Sequence, residues 1–135
     1  MPDIKAVLCG GGPELKKLQT SINDLSLQHN IRLCGERSHE DILNTMQRAK
    51  IFLHPSSYEG FGMVCIEALY AGAQIISFCK PVEARVKNWH IAENKEDMIE
   101  KARQLLETLP PPEKVLPFSI EDTAAAVMKL FDQQL

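Results

Sequence analysis

The chain has 135 residues, 44% of them hydrophobic and 24% charged, with a formal net charge of −3. That length suits one domain, residues 1–135, able to bury a real core. The negative balance, with no Lys/Arg cluster, speaks against nucleic-acid binding. No apolar run approaches the roughly 20 residues of a spanning helix. The first residues read as a strand and not as a signal peptide, so a cytoplasmic protein is expected.

In chain order, residues 4–9 read as a strand ended by Gly10-Gly11-Gly12-Pro13. Residues 14–29 then read as a helix, with Leu15, Leu18, Ile22 and Leu25 at three- and four-residue spacing. Residues 31–35 form a short strand, and Ser38-His39-Glu40-Asp41 resembles a capping box opening a helix to about Ala49. A third strand covers 50–54, and a loop follows from Pro55 to Gly60. An apolar helix over 61–71 stops at Gly72. A fourth strand covers 74–78 and a short fifth one 89–92. Asn94 can cap a helix presenting Met98, Ala102, Leu105 and Leu109 on one face. Pro110-Pro111-Pro112 breaks that helix, and Ser119 opens a last amphipathic one running to near Leu135.

Strands that alternate with helices predict an α/β fold: a Rossmann-like three-layer α/β/α sandwich with a mainly parallel sheet of four to five strands. Ligands in such sheets bind beyond the carboxyl ends of the strands, near helix starts. The Gly10 loop and the loop over 55–62 fall at that edge. The four cysteines, Cys9, Cys34, Cys65 and Cys79, lie in apolar segments without a C-x-x-C pair, so reduced core residues are expected. The histidines show no metal-ligand spacing, and no metal is expected.

The segment from Glu59 to Glu67 carries the most chemistry. Two acids and two glycines run into an apolar helix whose free N–H groups and partial positive charge suit a phosphate. Gly60 and Gly62 allow a ligand close to the main chain. Glu67 is the lone charge between Gly60 and Gly72, and a carboxylate among Val64, Ile66, Ala68 and Leu69 needs a partner. A structural ion pair with Lys80 or Arg85 would serve as well as a ligand. Gly10-x-Gly12 with Glu36 after the next strand also fits part of a dinucleotide fingerprint, but Leu15 stands where the third glycine belongs. No G-K-[ST] follows, so the loop is not a Walker loop. His54 reads as a hydrogen-bonded, buried histidine rather than a catalytic one.

The stretch His54-Pro55-Ser56-Ser57-Tyr58-Glu59-Gly60-Phe61-Gly62-Met63-Val64-Cys65-Ile66-Glu67-Ala68-Leu69-Tyr70-Ala71-Gly72 resembles the signature of retaining glycosyltransferases of family 4, the glycosyl transferases group 1. Val7 to Glu14 looks like that family's strand and G-x-G-P turn, and Ile31 to Gly35 like its strand near the nucleotide base. The likeness runs from about Ile4 to Ile76. It implies the C-terminal, donor-binding part of a two-domain GT-B enzyme, with a nucleoside-diphosphate sugar as donor substrate and no cofactor or metal. By the resemblance, Glu67 accepts hydrogen bonds from the ribose hydroxyls. Phe61, Gly62 and Met63 turn backbone N–H groups toward the diphosphate or sugar. Glu59, beside Gly60, is the catalytic candidate, contacting the donor sugar. Gly10 and Gly12 belong to the donor site, and Gly35 and Glu36 lie near the base.

The family's domain begins one strand and one helix earlier, with an Arg and a Lys for the diphosphate, and no such pair precedes Asp3. That strand is usually central in the sheet. A piece of a larger enzyme is therefore expected, inactive alone and membrane-peripheral when full-length. It would be partnered by an N-terminal acceptor domain or a partner subunit. The alternative is a non-catalytic α/β interaction module that assembles with a partner chain or with its own copies through an unfilled sheet edge.

Overall fold

The computed structural model describes residues 4–58, 60, 62–79, 85–108 and 110–132. Strands and helices alternate as expected and every strand pairing is parallel, so the fold is α/β and Rossmann-like. The chain divides into two compact units, Met1–Asn44 and Thr45–Leu135. No composition change marks that division, which falls inside a helix.

In the first unit, β1 (Ala6–Cys9) pairs with β2 (Ile31–Gly35). The register runs Ala6↔Ile31, Val7↔Arg32 and Leu8↔Leu33, then shifts so that Cys9 faces Gly35. The lead-in is tied by the Ala6 N–H donating to Asn30 O at 2.8 Å and Asn30 Nδ2 donating to Ile4 O at 3.0 Å. Helix α1 (Leu15–Asp24) stops a turn short of its expected end near His29. Ser21, Asn23 and Asp24 are weak helix formers. Ser26 then turns the chain with a φ of 55°, and the Leu27 N–H bonds back to Ile22 O at 2.8 Å. Ile22 is the one buried residue described in this unit, and all four β1 residues are exposed. Cys9 is thus not the core residue expected: it is exposed, at the end of a strand whose Val7 and Leu8 each remain 39% accessible.

Helix α2 (His39–Met46) opens as the sequence indicates: the Asp41 N–H donates to Ser38 Oγ at 3.2 Å. It spans the division between the units.

In the second unit, β3 (Ile51–His54), β4 (Gln74–Ser77) and β5 (Trp89–Ile91) form a parallel sheet with β4 in the middle. All four β4 residues are buried. Ile76 packs with Ala92 and Met98, flanked by Ile51, Phe78, Ala102 and Leu105, so α4 (Lys95–Thr108) covers that face. Alternation turns Ile75 and Ser77 to the other face, where α3 (Met63–Ala71) lies against β4. α3 is apolar around most of its girth because it is a buried layer: Cys65, Ala68 and Leu69 are wholly inaccessible. Asn94 caps α4 by accepting the Asp97 N–H at 2.9 Å, while Asp97 Oδ2 accepts the Glu93 N–H at 2.9 Å. Leu109, expected on the same face, lies outside the described residues.

The segment after α4 returns to α3. Pro112 packs on Gly72, the Val115 N–H donates to Leu69 O at 3.1 Å, and the Lys114 ammonium sits over the Tyr70 ring. Helix α5 (Ile120–Asp132) follows, capped by Ser119, whose Oγ accepts the Asp122 N–H at 2.9 Å. Residues 120–131 are all exposed. Among the described residues the expected sheet of four to five strands is five parallel strands in two hydrogen-bonded sets, β1-β2 and β3-β4-β5. Neither set contains the strand that the resemblance makes central.

Candidate functional site

In the first unit, Gly10, Gly35 and Glu36 meet at the carboxyl end of the strands. The Gly10 N–H donates to Gly35 O at 2.8 Å, which closes the strand pair. Gly11 lies under the Glu36 side chain so closely that a Cβ there would stand 2.8 Å from Glu36 Oε1. A side chain at position 11 would have to displace that carboxylate. Gly12, with Pro13, carries the turn into α1. A groove lined by Lys5, Gln28, His29 and Arg32 lies at the opposite, amino end of this strand pair. It is apart from the residues singled out.

In the second unit, Gly62 is the N-cap of α3, at φ 67° and ψ 41°. These left-handed angles cost a residue with a Cβ about 1–2 kcal/mol. With no side chain to cap the helix, its head is opened by backbone alone. The Cys65 N–H closes the first turn on Gly62 O at 2.9 Å. Met63 follows, 58% exposed, at the head of the helix. Glu67 stands one turn further on the same face, half-buried. Helical side chains as a class lean toward the N-terminus, which for Glu67 is the direction of Met63. Gly60 is exposed and its neighbourhood is open. Glu59 and Phe61, the remaining candidates, lie outside the described residues.

A chain of hydrogen bonds that the sequence reading did not single out supports this edge. Trp89 Nε1 donates to Ser77 Oγ at 2.8 Å, and Ser77 Oγ donates to Cys79 O at 2.7 Å. Cys79 Sγ donates to Ser56 O at 3.0 Å, and Ser56 Oγ donates to Tyr58 O at 2.7 Å. The links run from β5 through β4 to the loop that leads into α3. A serine ending a fully buried strand was the available signal, but its partner lies twelve residues away. His54 is half-buried with its ring stacked on Phe52, and it is paired in register with Ser77.

Residues 1–115 match the family model described as Glycosyl transferases group 1. The chain belongs to this family. The match, with the solved structure below, makes it a C-terminal, GT-B-type domain of a group 1 glycosyltransferase. It is 37% identical over 75 residues to 2-deoxystreptamine N-acetyl-D-glucosaminyltransferase of Niallia circulans, covering 56% of this chain and 19% of that protein. It is 34% identical over 76 residues to the phosphatidylinositol N-acetylglucosaminyltransferase gpi3 subunit of Schizosaccharomyces pombe, covering 56% of this chain and 17% of the relative. Among solved structures it resembles Anabaena Alr3699/HepE, crystallised in complex with UDP and glucose. There the TM-score is 0.65 and the identity 25%, over 86% of this chain and 34% of the other. The group 1 domain described here thus spans about a fifth of the curated relatives it matches.

Proposed function

We propose that this domain binds the nucleoside-diphosphate-sugar donor of a retaining glycosyltransferase, which moves the sugar to a hydroxyl acceptor. The observation that carries the proposal is the head of α3: a glycine-opened helix start with Glu67 one turn inside it, within the matched family segment. Backbone N–H groups at Gly62 and Met63 face the diphosphate, and the helix dipole offsets its charge as it leaves. Glu67 accepts hydrogen bonds from the ribose hydroxyls. Glu59 contacts the donor sugar and stabilises charge as the glycosidic bond breaks. Catalysis rests on positioning and electrostatics, without metal or cofactor. Gly10, Gly12, Gly35 and Glu36 form a second set, assigned to the nucleotide and tested separately by Glu36→Gln. The acceptor side comes from a further domain or subunit.

The test is titration calorimetry of the chain with UDP and with UDP-glucose. A hydrogen bond to a charged group contributes about 1.5–3 kcal/mol, so Glu67→Gln should raise Kd about ten- to a hundredfold. Absence of binding by either nucleotide, or a Kd unmoved by Glu67→Gln, refutes the assignment. Retention is read from the anomeric configuration of the product made by the complete enzyme.

A second reading, an interaction module, has its own support: β1 and residues 120–131 of α5 are exposed throughout. A concentration-dependent oligomer with no thermal shift from UDP would favour it over donor binding.

A further inference from the structure

We propose that Cys9 and Cys34 are a covalent modification site: a dithiol that a small-molecule disulfide of the glutathione class converts to a cross-strand disulfide. The proposal stands apart from sugar binding. Cys9 ends β1, and Cys34 is the extra residue where β2 shifts register, between Leu33, opposite Leu8, and Gly35, opposite Cys9. Without the shift Cys34 would face Cys9 directly. Adjacent strands lie about 4.7–4.9 Å apart, and disulfides bridge Cα separations of about 4.4–6.8 Å. The Cys34 thiol is near enough to Cys9 to affect its ionisation. Both are free, Cys9 is exposed and Cys34 half-exposed, so a small oxidant reaches the pair. Cys65, by contrast, is buried.

The chemistry balances. The Cys9 thiol loses its proton, and its thiolate attacks one sulfur of the small disulfide, expelling one thiolate. The Cys34 thiolate then attacks Cys9 Sγ, forming the cross-strand bond and expelling the second thiolate. Two protein thiols are oxidised by two electrons. The reagent is reduced to two thiols, which take up the two protons. Partial burial and the neighbouring Cys34 thiol raise the Cys9 pKa, with Arg37 and Arg32 opposing. Thiolate is the attacking form, so the reaction speeds up as pH rises. The product fastens the ends of β1 and β2 across the Gly10–Gly12 turn and α1.

The experiment exposes the full chain to oxidised glutathione and maps it by trypsin and mass spectrometry without reduction. The expected product joins the peptide from Ala6 to Lys16 with that from Leu33 to Arg37, reverts with dithiothreitol, and survives Cys79→Ser. Cys34→Ser should abolish the cross-link and leave a glutathione adduct on Cys9. Separate adducts on Cys9 and Cys34 without a cross-link, linkage of either to another cysteine, or no change in mass would each overturn the proposal.

Discussion

Ser77→Ala removes one oxygen from the middle of the second unit, and its cost follows from two bonds. Ser77 is fully buried, and its Oγ accepts the Trp89 indole N–H at 2.8 Å. Without that oxygen the indole N–H has no partner at a site from which water is excluded. An unsatisfied buried donor costs about 1–3 kcal/mol. The same Oγ donates to Cys79 O at 2.7 Å, and losing that bond adds about 1 kcal/mol. The alanine leaves almost no cavity, so packing contributes little. The expected loss is about 2–4 kcal/mol, or roughly 10 °C or more in Tm. Urea unfolding followed by circular dichroism measures it, with an unchanged slope expected. The decisive comparison is Ser77→Ala in a Trp89→Phe background. There the donor is already gone, and the serine substitution should cost about 1–3 kcal/mol less, leaving about 1 kcal/mol for the bond to Cys79. A loss below about 0.5 kcal/mol, or strict additivity of the two substitutions, would refute this account of the interior.

Other predictions use the same structure. His90 Nε2 contacts Gln74 Oε1 at 3.0 Å, and burial first, then Lys101 and Arg85, lower its pKa below the ordinary 6.5. The unfolded chain therefore takes up the proton first. Stability should hold above pH 6.5 and decline as pH falls through that value, and His90→Gln should flatten the profile in urea melts at pH 7.5 and 5.5. Gly62→Ala should cost about 1–2 kcal/mol because of its left-handed angles, and a smaller loss in thermal unfolding would mean that the α3 head relaxes. Asn94→Ala should cost about 1 kcal/mol through loss of the α4 cap, while Asn94→Asp should cost little, both checked by denaturant midpoints.

What was legible in the sequence was what depends on neighbours a few residues away. Ser38, Asn94 and Ser119 each cap through a bond to the residue three positions on, and each helix start follows from that spacing. The α3 segment and its stop at Gly72 were equally local. The α1 end was misjudged because the apolar spacing extends to Leu25, while Ser26 turns the chain through a positive φ that periodicity does not report. Cys9 was misjudged for another reason. Alternation and apolarity describe a strand suited to burial, not whether anything covers it. The hydrogen-bonded path through Ser77, Cys79 and Ser56 joins residues up to 23 positions apart, which no window of sequence displays. Of the candidate site, Gly10, Gly35 and Glu36 do converge, and Gly62, Met63 and Glu67 share the α3 head.

The two ends of α3 differ in how much change they tolerate. At the tail, a methyl group on Gly72 would come within 3.4 Å of Pro112 Cβ, and Leu69 is sealed. At the head, Met63 is more than half exposed. Replacements that alter the reach or polarity of position 63 therefore leave the sealed end undisturbed. A lineage could retune what this helix meets without renegotiating how the domain holds together.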